Sequence, residues 1–209
     1  LFLPEVQLTN QDIKEIQKIL FAACGTSYHA ALVFKYLLEE RCRLPARVEY
    51  ASEFRYFTPP LDGLVIGITQ SGETADTLAG VREARERGAK VIAITNVVGS
   101  RVTRESDGVI YTHAGPEIGV ASTKAFTTQL TALLLLTIAL ARRHGLTADK
   151  ERKLVEELEL LRVGEPVLAQ VHPEDVPTEL RVKEASLRCL VVAVVEVGFH
   201  GDRAAPDRR

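Results

Sequence analysis

The stretch LVIGITQSGETADT, residues 64–77, decides the fold. Its opening run LVIGI is apolar on both faces, as in a strand of a parallel sheet that helices cover. A segment with helical spacing follows it. A structural turn needs one capping residue and a glycine, whereas the corner between this strand and this helix carries a cluster of hydroxyl and amide side chains. These are Thr69, Gln70, Ser71 and Thr74, grouped around Gly72.

The same alternation of strand and helix runs through the chain. Apolar runs predict strands at 18–24, 46–52, 64–69, 90–95 and 108–112. Helical spacing of apolar residues predicts helices at about 28–40, between the 64–69 strand and Gly88, from Ser122 to about Gly145, and over 148–162. A short helix capped by Thr9 and Asp12 precedes them. Strands that alternate with helices indicate an α/β fold with a mainly parallel sheet and helices on both sides.

The helix that starts at Ser122 is apolar nearly all round. A helix without a polar face is either buried in a core or packed against another subunit. We therefore expect this helix to lie in the core or at a dimer interface.

Length, charge and cysteine content narrow the class of protein. A chain of 209 residues can bury one good-sized core. Its net charge of −2 comes from mixed signs without a basic stripe, which argues against nucleic acid as a partner. The chain has three cysteines, Cys24, Cys42 and Cys189, which lie far apart in the sequence. So sparse a set suggests a reducing compartment, and its spacing is not that of metal ligands.

Targeting signals are not visible in the sequence. The longest apolar runs fall short of the ~18 residues of a membrane span, and the start lacks the basic region and cleavage site of a signal peptide. The chain contains no methionine. We therefore expect it to be a processed or excised piece of a longer protein.

Three polar corners fall beyond the carboxyl ends of predicted strands, where open parallel sheets bind ligands. They are residues 24–27 after the first strand, 69–74 after the third and 114–123 after the fifth. Each leads into a helix start, whose unpaired N–H groups and partial positive charge favour an anion. Since a hydrogen bond to a charged group contributes about 1.5–3 kcal/mol, a handful of them holds a sugar phosphate without Arg or Lys.

Simpler interpretations of several residues stay open at this point. Ser71 is a good helix N-cap, which alone explains one hydroxyl. His29 and His113 are candidate bases, although such histidines are more often solvated or packed. Glu117 and Lys124 flank the third corner and are either substrate contacts or surface charges. The motifs GxGxxG and GxxxxGK[ST] do not occur, which disfavours a dinucleotide site and a P-loop.

Four segments resemble one family. They are CGTSYHA (24–30), EYASEFRY (49–56), QSGETADT (70–77) and AGPEIGVASTKAFTTQL (114–130). Together they are similar to the isomerase part of the glutamine–fructose-6-phosphate aminotransferases, also called glucosamine-6-phosphate synthases. The resemblance covers roughly residues 10–145. A serine-rich corner is typical of sugar isomerase (SIS) domains in general, whereas GPEIGVASTKAFT is narrower and points to the synthases.

The resemblance implies a three-layer α/β/α sandwich with a five-stranded parallel sheet and a site for fructose 6-phosphate. The residues that match the phosphate-holding positions of the family are Ser27, Gln70, Ser71 and Thr74. Those that match the sugar-contacting positions are Thr26, Val120 and Ser122. Thr69 stands where the family usually has serine, so the hydroxyl is kept and the extra methyl narrows the pocket. The resemblance also implies a cytoplasmic homodimer that needs no cofactor, neither a metal nor pyridoxal phosphate.

The predicted domain organisation departs from that of the family. We expect an SIS domain at 1–147, a helix and linker at 148–186, and at 187–209 an aberrant or truncated start of a second SIS domain with a disordered tail. Family members carry a glutaminase domain and a complete second SIS domain with the Glu, Lys and His for ring opening and proton transfer, and those motifs do not occur here. An altered reading frame or an artificial terminus is one hypothesis, which sequencing the source locus tests.

The expected function is sugar-phosphate binding within a glutamine-dependent fructose-6-phosphate aminotransferase. No catalytic residue is assigned to this chain, so whether it is an enzyme by itself stays open. Two alternatives remain: a non-catalytic phosphosugar-binding SIS module, and an inactive fragment that a partner completes. A DNA-binding segment would favour a regulator, and the sequence shows none.

Overall fold

The computed structural model describes residues 6, 8–54, 56, 61, 63–116, 122, 124–141 and 146–162. Its centre is a five-stranded sheet with strand order β2-β1-β3-β4-β5, and every neighbouring pair is parallel. The strands are β1 (Ile19–Ala23), β2 (Ala46–Tyr50), β3 (Leu64–Thr69), β4 (Lys90–Thr95) and β5 (Gly108–Tyr111). The predicted α/β class and the five-stranded parallel sheet are confirmed.

Helices connect the strands and cover both faces of the sheet. They are α1 (Asn10–Glu15), α2 (Gly25–Leu37), α3 (Ala51–Phe54), α4 (Ala75–Glu86), α5 (Arg101–Arg104), α6 (Lys124–Ala141) and α7 (Ala148–Arg162). A π-helical turn, Leu38–Cys42, continues α2. Residues 163–209 lie outside the described residues. They include the rest of the predicted helix-and-linker segment (148–186) and the predicted start of a second SIS domain (187–209).

Two hydrophobic clusters, one on each face of the sheet, make the three layers. Phe21, Ile66 and Ile92 point to the face that α2 and α6 cover. Their immediate neighbours along the strands point to the opposite face, under α3, α4 and α5. Because successive side chains of a strand alternate between the two faces, strands that are apolar throughout can fill both cores.

Helix α6 is the most apolar helix of the described chain. By length and composition alone it could cross a membrane, but 67% of it is buried inside the domain. It packs against α2 in the larger cluster, with Leu133 and Leu140 almost fully buried. This placement confirms the expectation of a core helix, and a dimer interface for α6 stays a prediction.

Two predicted boundaries were wrong. The helix expected at about 28–40 begins at Gly25, because that glycine turns directly from the strand with φ of +58°. Its α-helical part ends at Leu37, and the π-turn closes on Arg43 in the left-handed region, with φ of 55°. The strand expected at 46–52 ends at Tyr50, since the chain folds into α3 there. Thr26 and Ser27 therefore lie inside the first turn of a helix.

The predicted helix end at Gly88 is confirmed. Its φ is +80°, and its N–H donates to Arg85 O at 2.8 Å. The next residue, Ala89, donates to Ala84 O at 3.0 Å. This pair of bonds is the glycine-dependent C-terminal motif that satisfies the last helical carbonyls.

Candidate functional site

The strand order places a topological switch point between β1 and β3. These two strands pair in parallel, with Ala23 opposite Ile68 near their carboxyl ends. The chain leaves β1 into α2 on one face and leaves β3 into α4 on the other. In a sheet of this order the two connections diverge, and the crevice between them is the usual ligand site of the fold.

A cavity of about 350 Å³ occupies this crevice. Hydroxyl groups and one amide side chain dominate its lining, and its described lining residues include no charged side chain. The lining residues are Cys24, Gly25, Thr26, Ser27, Ile68, Thr69, Gln70, Ser71, Thr74, Thr77 and Ser122. The structure therefore brings together every predicted site residue except Val120, which lies outside the described residues.

Two long helices begin at this cavity without side-chain caps. The N-cap of α2 is Cys24, and its side chain makes no capping hydrogen bond within the described chain. The N-cap of α4 is Thr74, which likewise caps none of the described N–H groups, because its hydroxyl lies 2.9 Å from the hydroxyl of Thr69. Uncapped helix starts present N–H donors and a partial positive charge, roughly half an elementary charge each.

The corner between β3 and α4 is a tight turn around Gly72. Its φ is +71°, and its N–H donates to Thr69 Oγ1 at 3.3 Å. Ser71 Oγ accepts from Glu73 N–H at 3.2 Å. The interpretation of Ser71 as the helix N-cap was therefore wrong, since α4 starts later, at Ala75, and the Ser71 hydroxyl closes a local turn at the cavity wall.

Helix α5 and the end of β4 stabilise this corner through hydrogen bonds. The Glu73 carboxylate accepts from Arg101 N–H at 2.7 Å, and Gly72 O accepts from Val102 N–H at 3.0 Å. A Cβ atom on Gly72 would lie 2.0 Å from Ser100 Oγ. The backbone of the corner is thus held in one position, with room for glycine alone.

Asn96 holds the start of the third corner. Its amide group donates to Gly115 O at 2.7 Å, and its carbonyl oxygen accepts from Ala114 N–H at 2.7 Å and from Thr112 Oγ1 at 3.2 Å. One side chain at the end of β4 therefore fixes the loop that leaves β5. Ser122, further along the chain, lines the cavity.

Comparison with known proteins agrees with this architecture. A family model described as the SIS domain matches residues 12–139. The chain belongs to the SIS domain family. Since this model covers more than half of the chain, the resemblance noted in the sequence is confirmed at the family level.

The relatives of this SIS domain include much longer enzymes. A glutamine–fructose-6-phosphate aminotransferase [isomerizing] from Caldanaerobacter subterraneus is 51% identical over 162 residues, which are 76% of this chain and 27% of that protein. One of the same name from Clostridium tetani is 47% identical over 185 residues, 87% of this chain and 30% of that protein. The chain thus spans less than a third of these relatives.

A solved structure with a sequence identity close to that of these relatives has the same fold. It is the C-terminal domain of glucosamine-fructose-6-phosphate aminotransferase from Francisella tularensis. It is 43% identical to this chain with a TM-score of 0.70, and the match covers 73% of this chain and 44% of that one. The three-layer SIS fold is therefore common to both.

The other candidates from the sequence lie outside the cavity lining. His29 and His113 are exposed and do not line the cavity, although His113 has a φ of 49°. Lys124 is half-buried at the start of α6. Glu117 lies outside the described residues.

An ion pair ties α4 to the turn after α5. The Arg82 guanidinium donates to both carboxylate oxygens of Glu105, at 2.7 and 2.6 Å. The hydrogen bonds from Arg82, together with one from Arg101, hold the pKa of Glu105 below its usual value. This bidentate contact fixes the outer side of α4 rather than the site itself.

Sequence reasoning missed two residues of this SIS domain. Asn96 reads as an ordinary turn residue, because its partners lie in the loop after β5. Thr77 reads as a neutral helix residue, yet it lines the cavity and is fully buried. The spacing Thr74–Thr77 on one side of a predicted helix start was the available signal, since positions three apart share a helix face.

Proposed function

We propose that this SIS domain binds fructose 6-phosphate, with the phosphate held between the starts of α2 and α4. The observation that carries the proposal is the pair of uncapped helix N-termini that meet at one polar cavity. Such starts bind phosphate through backbone N–H groups and the helix dipoles. Hydroxyls from Ser27 and Ser71 and the amide of Gln70 add further donors.

The sugar end of the ligand would extend toward the third corner. Thr26 and Ser122 line the same cavity as the phosphate-holding candidates, and Asn96 fixes Ala114 and Gly115 at the start of the third corner. The volume of about 350 Å³ is within the range of small-molecule sites. Val120, which matches the family motif, completes this part of the proposal.

The names of the relatives suggest the larger context. We infer that the chain is the first SIS domain of a glutamine-dependent fructose-6-phosphate aminotransferase, which acts in the cytoplasm as a homodimer. The described lining residues include no carboxylate, histidine or lysine, the groups that proton transfer on an opened sugar requires. The chain by itself is therefore expected to bind without turnover, and isomerase activity of the pure chain would contradict this.

The same observation favours a second candidate, an SIS module that binds a phosphosugar without taking part in catalysis. Both candidates require the same cavity and the same ligand chemistry. They differ in whether the whole protein catalyses a reaction on that ligand. Adding in trans the parts of a related aminotransferase that this chain does not span should give amino-sugar formation only if this chain is an enzyme part.

The direct test is calorimetric titration with fructose 6-phosphate, with fructose and inorganic phosphate as controls. Binding in the micromolar-to-millimolar range, absent for fructose, supports the proposal. Ser71→Ala should weaken the binding of fructose 6-phosphate about tenfold, since it removes one hydrogen bond to a charged group. A folded chain that does not distinguish fructose 6-phosphate from fructose would refute the proposal.

A further inference from the structure

We propose that Thr77 is a further ligand-binding residue of this site, whose buried hydroxyl donates a hydrogen bond to the bound phosphate. Thr77 lies in the first turn of α4, three positions after the N-cap Thr74. It lines the cavity together with the predicted phosphate-holding residues. The inference rests on the proposed function, because it assigns one more contact to the same phosphate.

The hydroxyl of Thr77 is an exception among the buried polar groups of the domain. The residue is 0% exposed, and Thr77 Oγ1 has no hydrogen-bond partner among the described residues. A buried hydroxyl without a partner is costly, and most buried polar side-chain atoms have one. A phosphate bound in the cavity would supply the hydrogen-bond partner of this hydroxyl and so remove the cost of its burial.

Other helical threonines of this chain donate a hydrogen bond to a backbone carbonyl, which Thr77 does not do within the described chain. A threonine in a helix commonly donates to the carbonyl three or four residues earlier. Each of the four threonines of α6 does so, with distances of 2.8–3.2 Å. They are Thr127, Thr128, Thr131 and Thr137. Thr77 makes no such bond within the described chain; the carbonyl three residues before it is that of the N-cap Thr74.

The methyl group of Thr77 accounts for packing but not for the hydroxyl. A Cβ atom on Gly67 of β3 would lie 3.7 Å from Thr77 Cγ2, so the methyl packs toward the sheet. A valine would fill that space equally well and would remove the unpartnered oxygen. A requirement for packing alone therefore does not explain a hydroxyl at this place, whereas a phosphate at the start of α4 does.

The test compares three variants of the 209-residue chain by calorimetry with fructose 6-phosphate and by chemical unfolding. Thr77→Val keeps the shape and should leave the unfolding midpoint unchanged or higher, while affinity falls roughly tenfold or more, the effect of one bond to a charged group. Thr77→Ser keeps the hydroxyl and should retain affinity to within a few-fold.

Gln129→Leu is the matched control. Gln129 Oε1 is also buried and without a partner among the described residues, but Gln129 lies in α6 and does not line the cavity. Its substitution should leave affinity unchanged. This control separates the loss of a ligand contact from the removal of any unpartnered buried polar atom.

Two results would overturn the inference while the proposed function stands. One is wild-type affinity in Thr77→Val; the other is a lowered unfolding midpoint in that variant, which would reveal a structural partner for the hydroxyl. If the wild-type chain itself does not bind fructose 6-phosphate, the proposed function fails, and the inference fails with it.

Discussion

The first N–H groups of a helix have no acceptor within the helix. Helix α1 differs from α2 and α4 in whether the N-cap side chain accepts from one of them. At α1, Thr9 accepts from Asp12 N–H and the Asp12 carboxylate accepts from Thr9 N–H, a reciprocal capping box. At α2 and α4, the N-cap side chains make no such bond within the described chain. The capped start lies away from the cavity lining, and the uncapped starts form it.

Under the proposed function, this difference separates structural helix ends from binding ends. A capped start satisfies its own donors and contributes about 1 kcal/mol to stability. An uncapped start forgoes that contribution and keeps its donors for a ligand. Even the short helix α5 has a cap, because the Glu73 carboxylate accepts from its first N–H. The two starts at the switch point therefore differ from the starts of α1 and α5.

The largest effect is expected from Gly72→Ala, which should move the start of α4 away from that of α2. The new Cβ would lie 2.0 Å from Ser100 Oγ, at a φ of +71°. Strain and overpacking together should lower the free energy of unfolding by on the order of 2–4 kcal/mol and abolish phosphosugar binding. Chemical unfolding and calorimetry measure the two effects.

Gly88→Ala is the control for that variant. Gly88 has a similar φ of +80° but no heavy atom within 4 Å of its added Cβ. It should cost about 1 kcal/mol and leave binding unchanged. Equal loss of binding in the two glycine variants would show that general destabilisation, rather than the corner, controls the site.

Asn96→Asp should loosen the third corner while the two helix starts stay in place. The substitution replaces the donor to Gly115 O by an acceptor, so the free energy of unfolding should fall by about 1–3 kcal/mol. Affinity for fructose 6-phosphate should fall several-fold, whereas affinity for inorganic phosphate should not change. A parallel loss for both ligands would place Asn96 in support of the phosphate end instead.

A pair of hydroxyl deletions tests the comparison of helix starts directly. Ser27→Ala should weaken phosphosugar binding about tenfold without lowering the free energy of unfolding, because alanine favours the helix more than serine does. Thr9→Ala should do the reverse, with unchanged binding and a loss of about 1 kcal/mol. Calorimetry and urea unfolding on both variants check this, and similar profiles for the two would contradict the distinction.

The smallest effect concerns pH at the capped start. Hydrogen bonds from Thr9 lower the pKa of Asp12 below its usual value of 3.8. A carboxyl with a lowered folded-state pKa stabilises the fold above its unfolded pKa, and this contribution is lost as pH falls through the folded value. The stability difference between wild type and Thr9→Ala should therefore shrink from pH 6 to below pH 4. A constant difference in urea unfolding would refute this.

Local patterns were enough to predict much of the domain. The capping box of Thr9 and Asp12, the C-terminal glycine Gly88 and the apolar strands are signals within a few residues of sequence, and the structure confirms them. The resemblance of four segments to one family supplied the cavity residues. Their roles in binding stay predictions, because no ligand contact has been measured.

Features that depend on which strands are neighbours were not predicted. Asn96 fixes the 112–115 loop only because β4 and β5 are adjacent in the sheet. The lack of a partner for Thr77 Oγ1 among the described residues likewise depends on how α4 packs on β3. The early start of α2 was missed because Gly25 was placed in the polar corner before the helix, whereas its positive φ begins the helix directly.

The central claim is that the open starts of α2 and α4 bind the phosphate. The most direct measurement is amide NMR during titration with fructose 6-phosphate, following the N–H groups at residues 25–27 and 75–77. We expect large, saturable shifts and slowed hydrogen exchange there, with no change at residues 10–12 of α1, the capped start in the same molecule. Shifts of equal size at all three starts, or none at α2 and α4, would contradict the claim.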